Sequence, residues 1–135
     1  MNKPSLLISI AALSLAGCAA RTDGPVGGGG GRDRSLAQEL DGRSAGEPVA
    51  CVNLHDVIST RIVPGGEAII FEGRGGVLYA NRARGGCAAP PDVFVRTRSS
   101  SGRLCRGESV ELSHPQGSYA GSCILNDFTP YRRAG

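Results

Sequence analysis

Arginines are the residues of this sequence whose number and spacing most suggest chemistry. The stretch 74–106 holds seven arginines and a single acidic residue. A guanidinium binds a carboxylate or phosphate through two parallel hydrogen bonds, so a cluster of them indicates anion binding. Alternate residues of a strand share a face. We predict that two strands pair across the 85–92 loop, with Arg82 opposite Arg96, and form an anion-binding face from Arg82, Arg84, Arg96 and Arg98.

This charge pattern also has a plainer explanation. Glu72, Glu108 or Glu111 on neighbouring strands would neutralise the arginines, because opposite charges on paired strands attract each other. Lys3 is the single lysine of the chain, and a GC-rich genome would also favour Arg over Lys. Both alternatives leave the cluster as ordinary solvated surface.

Residues suited to catalysis are few. The histidines are His55, which precedes an aspartate, and His114, and the serines at 117–122 lack the G-x-S-x-G pattern of a nucleophile elbow. The glycines at 73–76 lack the lysine of a phosphate-binding loop. We therefore predict no catalytic residue, no cofactor and no metal site. Three Phe, three Tyr and no Trp leave little aromatic surface for base stacking, so no nucleic-acid partner is predicted.

The N-terminus has the layout of a secretory signal, with a charged start, an apolar run over 6–16 and small residues before Cys18. The segment Leu15-Ala16-Gly17-Cys18 resembles the lipobox of bacterial lipoproteins. This resemblance implies that residues 1–17 are removed and that the thiol of Cys18 is acylated, which anchors the protein to a membrane. By the same resemblance, the alanines at 19–20 imply the outer membrane, facing the periplasm. A conventional signal peptide with a chance cysteine, or a buried helix, is the alternative.

The other four cysteines lie beyond position 50, at 51, 87, 105 and 123. An even number in a small exported domain favours two disulfides. A four-cysteine zinc site is the alternative, although the spacing contains no CxxC pair. Among the three possible pairings we predict Cys51–Cys123 and Cys87–Cys105, because the first would join the first and last strands of a closing barrel.

Composition divides the rest of the chain in two. Residues 18–48 are Gly-rich and resemble a flexible tether behind the lipidated cysteine. Ser35 and Gln38 within it have capping-box spacing, which indicates a short helix that would be stable only if it docks. Residues 49–135 contain Gly-Gly pairs that separate short strand-like runs. We predict an all-β domain here, a small six-stranded meander or barrel stapled by two disulfides, with strands at 57–63, 67–74, 77–84, 92–98, 109–113 and 122–128.

The segments CVNLHDVIST, IIFEGRGGVLYAN and GSCILNDFTPY, together with the four cysteines, resemble a family of small proteobacterial exported lipoproteins without a known activity. The resemblance covers residues 50–131 and implies a disulfide-stapled envelope domain. The expected function is a non-enzymatic binding or structural module. Its partner would be lipopolysaccharide phosphate, a peptidoglycan carboxylate or an acidic protein. One alternative is an inhibitor of an envelope or host hydrolase such as a lysozyme, and a second is a small hydrolase or metal-binding protein.

Overall fold

The structure, a computed structural model, describes residues 34–134. These residues form one short α-helix, three 3-10 turns and ten strands, so the predicted all-β class with two disulfides is confirmed, with ten strands rather than six. The additional strands escaped prediction because most are only three residues long, too short to show alternation. The elements are α1 Leu36–Glu39, β1 Arg43–Ala45, β2 Cys51–Asn53, β3 Val57–Ile62, β4 Ile69–Gly73, β5 Leu78–Asn81, β6 Phe94–Arg96, β7 Arg103–Cys105, β8 Ser109–Ser113, β9 Tyr119–Ile124 and β10 Phe128–Arg133.

A five-stranded antiparallel sheet, here called the large sheet, has the strand order β1-β10-β5-β4-β3. Its hairpins turn at the Gly-Gly pairs that follow β3 and β4. Gly65 and Gly66, like the next pair, have positive φ values, a conformation that glycine adopts at little cost. The Gly-Gly punctuation of the sequence therefore marks the turns of this sheet.

Two smaller antiparallel sheets complete the domain. The three-stranded sheet has the order β6-β8-β9, and β2 pairs with β7. Backbone bridges join the sheets, from Val49 to Phe128 and from Arg84 to Ile124. In consequence the three-stranded sheet is held in place against the large sheet.

The main core lies between the large sheet and the smaller sheets. Phe71 and Phe128 are fully buried from the large-sheet side, with ring centroids 5.3 Å apart and an edge-to-face angle of 71°. They pack with Leu104 of β7 and with Val110 and Leu112 of β8. Because side chains alternate along β8, this inward set leaves the intervening residues on the outer face of the three-stranded sheet.

The opposite face of the large sheet is covered by α1. Leu36 is 2% exposed and packs with Val63, Ile70 and Leu78. The predicted capping box is present, since the Ser35 hydroxyl accepts from the Gln38 backbone nitrogen at 3.4 Å and the Ser35 nitrogen donates to the Gln38 side chain at 2.9 Å. Helix α1 and the arginine-bearing face of the three-stranded sheet are thus on opposite sides of the domain.

The folded domain begins before residue 49, which corrects the predicted tether boundary. Helix α1 and strand β1 both fall within the segment expected to be tether, and β1 pairs with β10. The apolar contacts of Leu36 provide the docking that so short a helix needs. Residues 1–33, which include Cys18 and the first part of the tether, lie outside the described residues.

The predicted disulfide pairing is wrong. The bonds are Cys51–Cys105, which spans 54 residues, and Cys87–Cys123, which spans 36. Cys51 and Cys105 are directly opposite each other in the β2–β7 pair. The prediction assumed that the first and last strands of a barrel meet at Cys51 and Cys123, but the chain continues past Cys123 into β10, and β2 pairs with β7 instead.

Candidate functional site

The four arginines of the predicted anion-binding face do not lie together. Strand β5 pairs with β4 and β10, while β6 pairs with β8, so the expected facing of Arg82 and Arg96 is wrong. Arg82 forms an exposed ion pair with Glu67 at 2.9 Å, and the Arg84 backbone bridges to β9. Of the predicted set, Arg96 and Arg98 remain as neighbours.

Arg96 and Arg98 lie on the outer face of the three-stranded sheet, beside a shallow depression of about 260 Å³. Arg96 at the end of β6 is directly opposite Glu111 of β8, which in turn is opposite Ser122 of β9. Directly opposed residues share a face. We call this site the arginine shelf, and it is lined by Arg96, Arg98, Ser109, Glu111, Tyr119 and Ser122.

The inward neighbours on the same strands explain how the fold positions the shelf. Val95 packs against the main core, and Val110 and Leu112 are part of it. Strand alternation therefore turns Arg96 and Glu111 outward. The small serines at 109 and 122 leave the depression open between the longer arginine and tyrosine side chains.

The guanidinium groups of the shelf are unpaired among residues 34–134. Arg61, Arg82 and Arg106 each have a carboxylate within ion-pair distance, whereas Arg96 and Arg98, like several other arginines such as Arg84 and Arg103, have none. Glu111 was predicted as a possible neutralising neighbour, and the register does place it beside Arg96. Its carboxylate instead accepts a hydrogen bond of 3.5 Å from the Ser113 hydroxyl. The shelf can therefore offer charged donors to an anion.

Aromatic and apolar surface borders the shelf. Tyr119 is 66% exposed, and its hydroxyl is 3.4 Å from the Ser122 hydroxyl. Phe94 and Ile124 are 42% and 41% exposed. Each is two positions from a shelf residue of the same strand, Arg96 or Ser122, and therefore shares its face. Since exposed apolar surface next to a few polar groups is typical of ligand sites, these side chains extend the candidate site.

Arg61 is an arginine whose charge is already paired within the domain. Arg61 on β3 contacts Glu39 of α1 at 2.7 Å and Glu72 of β4 at 3.3 Å. The hydrogen bond with Glu39, and then the attraction of both carboxylates, raises the pKa of Arg61 against the opposing effect of its burial. This network ties α1 to the large sheet, so Arg61 is already occupied and is a poor candidate for binding a ligand.

A second cavity, larger than the depression at the shelf, is a groove of about 710 Å³ between β3 and the segment 89–95. Its lining includes Ile62, Val63 and Val95 and several prolines. The groove opens onto the main core between the edges of two sheets, and its arginine, Arg61, is bound to two carboxylates. Besides Arg61, its charged lining residue is Asp92, so the groove offers no pair of cations to an anion.

The remaining candidate residues are apart from these cavities. His55 lies in the 3-10 turn Leu54–Asp56, near Gly102, and His114 follows β8. Within residues 34–134, no three His, Cys, Asp or Glu side chains cluster as metal ligands would. No helix in that part of the chain is long and apolar enough to cross a membrane.

Sequence reasoning did not identify Ser109, Tyr119 and Ser122 as parts of the site. The alternation in SVELS already indicates that Ser109 and Glu111 share the face opposite the valine and leucine. Nothing local indicates that β9 lies beside β8 in this register.

The fold and the shelf define a small, disulfide-bonded β-sheet domain with a basic surface depression. Comparison with protein-family models, with curated proteins and with solved structures finds no match to this chain. The resemblance to exported lipoproteins therefore stays a prediction from the sequence.

Proposed function

We propose that this protein is a lipid-anchored lipoprotein of the cell envelope whose β domain is a non-enzymatic binding module for an anionic envelope component. The anchor is Cys18 in its lipobox-like segment, and the proposed location is the outer membrane, facing the periplasm. The two disulfides support an oxidising compartment, since such bonds persist mainly outside the cytosol.

The observation that carries the binding function is the unpaired state of two neighbouring guanidiniums. Within the described residues, Arg96 and Arg98 have no carboxylate partner, whereas Arg61, Arg82 and Arg106 do. They differ from the other unpaired arginines because both line one depression. Like charges on one face repel each other, so an anion bound between them would relieve that repulsion. The exposed Tyr119 beside them adds contact surface.

The binding proposal is tested with purified envelope fragments and full-length protein. The variant Arg96→Gln with Arg98→Gln removes two charges from the shelf. Arg132→Gln with Arg133→Gln is a matched control, because both residues are exposed at the end of β10. We expect retention of the wild type to weaken as salt rises, and to fall in the shelf variant but not in the control. An equal loss in both variants would show that net charge, and not the shelf, drives binding.

The anchor proposal is tested by Cys18→Ala in cells. The thiol is the attachment point for the lipid, so this variant should move from the membrane fraction to the soluble periplasmic fraction. Wild-type protein should carry fatty acid on the peptide that starts at Cys18, as measured by mass spectrometry. A variant that stays in the membrane fraction, together with a wild type that lacks lipid, would contradict the proposal.

A further inference from the structure

We infer that the ligand of the arginine shelf is an acidic sugar, a saccharide unit that carries one carboxylate next to hydroxyl groups. The inference rests on the proposed function and narrows its ligand. It depends on three features of the shelf: its two guanidiniums, the carboxylate of Glu111 opposite Arg96, and the exposed tyrosine ring.

The two guanidiniums of the shelf indicate that the ligand carries an anionic group. Arg96 and Arg98 border the same depression, and each presents a fork of donors that fits a carboxylate or a phosphate. Both groups are unpaired among residues 34–134. By themselves they would bind either anion, so the choice between carboxylate and phosphate has to come from their neighbours.

Glu111 favours a carboxylate over a phosphate as the bound anion. It lines the depression, directly opposite Arg96. An ionised carboxylate only accepts hydrogen bonds, and it repels a second negative charge brought close to it. A doubly charged phosphate or a cluster of phosphates is therefore disfavoured relative to a single carboxylate. The same oxygens favour a ligand that also brings hydroxyl donors.

The serines and the tyrosine extend this selection to a sugar. The hydroxyls of Ser109 and Ser122 can donate or accept, which matches the mixed donors and acceptors of a sugar ring. Tyr119 is 66% exposed and offers an aromatic face for the apolar C–H face of such a ring. The volume of about 260 Å³ lies below the range of pockets for drug-sized ligands, about 300–1,000 Å³. The depression therefore suits one sugar unit.

The test uses four probes that separate the contribution of the negative charge to binding from the contribution of the sugar ring. Glucuronate has the ring and the carboxylate, glucose has the ring alone, acetate has the carboxylate alone, and glucose 6-phosphate replaces the carboxylate by phosphate. Each is titrated into isotope-labelled full-length protein in a polyoxyethylene detergent, which has no sugar headgroup to compete. Backbone amide shifts at 96–98, 109–111 and 119–122 report binding at the shelf.

We expect glucuronate to shift these amides saturably, with a Kd on the order of 1–10 mM, since small ligands bind open sites weakly. Glucose, acetate and glucose 6-phosphate should each bind about tenfold more weakly or worse. Arg96→Gln should weaken glucuronate binding by about tenfold, the loss typical of a charge-assisted hydrogen bond. Glu111→Gln should reduce the preference for glucuronate over glucose 6-phosphate, and the Arg132→Gln control should change nothing.

Acetate binding as tightly as glucuronate would overturn the inference, because the ring would then contribute nothing. Glucose 6-phosphate binding as tightly would overturn it as well, because Glu111 would not discriminate. If all four probes fail at the shelf while envelope fragments still bind in a shelf-dependent way, the acidic sugar is wrong and the proposed function stands. If the fragments also bind without any dependence on the shelf, the proposed function fails.

Discussion

The turn after β3 gives the sharpest prediction about stability, that Gly66→Ala will destabilise the domain far more than Gly65→Ala. Both glycines have positive φ, +85° at Gly65 and +73° at Gly66. A Cβ on Gly65 would meet nothing within 4 Å, whereas one on Gly66 would lie 2.6 Å from the backbone of Cys87 and of Ala88. The two substitutions therefore share the backbone strain and differ in the steric clash.

The expected magnitudes follow from these contacts. An L-residue held at positive φ costs about 1–2 kcal/mol, and this is the whole expectation for Gly65→Ala. Gly66→Ala adds overpacking, about 1–3 kcal/mol. It also strains the 2.9 Å hydrogen bond from the Cys87 nitrogen to the Gly66 carbonyl, which contributes about 1 kcal/mol. We expect a loss of about 4 kcal/mol, a large part of the 5–15 kcal/mol typical of a domain.

The assay is equilibrium urea unfolding of the disulfide-intact protein, followed by circular dichroism. The midpoint should fall in both variants at an unchanged m-value, and the free energy of unfolding should fall by about 2–4 kcal/mol more for Gly66→Ala. Equal losses of stability in the two variants would mean that Gly66 does not pack closely against the backbone of Cys87 and Ala88. Equal losses would contradict the prediction even if both variants were unstable.

Three further predictions concern the helix, the buried amide and the disulfides. Leu36→Ala should cost about 2–4 kcal/mol and speed amide exchange over 36–40, while unchanged exchange would mean that α1 is not docked. Asn81 is fully buried and bonds both backbone groups of Asn126, at 2.7 and 3.0 Å. Asn81→Ala should therefore cost about 3 kcal/mol, and a loss below about 1 kcal/mol in urea unfolding would contradict this pairing. Mild reductant should reduce the half-buried Cys51–Cys105 before Cys87–Cys123, whose cysteines are 1% and 5% exposed. Stepwise alkylation with mass spectrometry measures this order, and the reverse order would contradict the prediction.

Local patterns predicted much of the fold. The runs between the Gly-Gly pairs became β4 and β5, and the capping box at Ser35 became α1. These features depend on neighbours in sequence, such as turn glycines and strand alternation. The β2–β7 pair joins residues about fifty positions apart, and no local pattern encodes that register. The disulfide prediction failed for this reason, because it needed the strand order first.

For the candidate site, too, local sequence patterns predicted some features and missed those that depend on the order of the strands. Strand alternation predicted that Arg96 and Arg98 share a face, and both do line one depression although β6 ends at Arg96. Glu111 as a neighbour needed only that β6 and β8 pair. The expected meeting of Arg82 with Arg96 required that β5 and β6 be adjacent. They belong to different sheets, since the chain crosses between layers in the loop that contains Cys87.

The position of α1 has a consequence for the side of the domain on which a ligand would bind. The described part of the chain begins on the α1 side of the domain, because Leu36 packs on the outer face of the large sheet. The arginine shelf faces the other way, across both layers. A ligand bound at the shelf would therefore contact the face of the domain away from α1. Any force between that ligand and the N-terminal end of the described chain would pass through the thickness of the sandwich, including the backbone bridges at Val49 and Arg84.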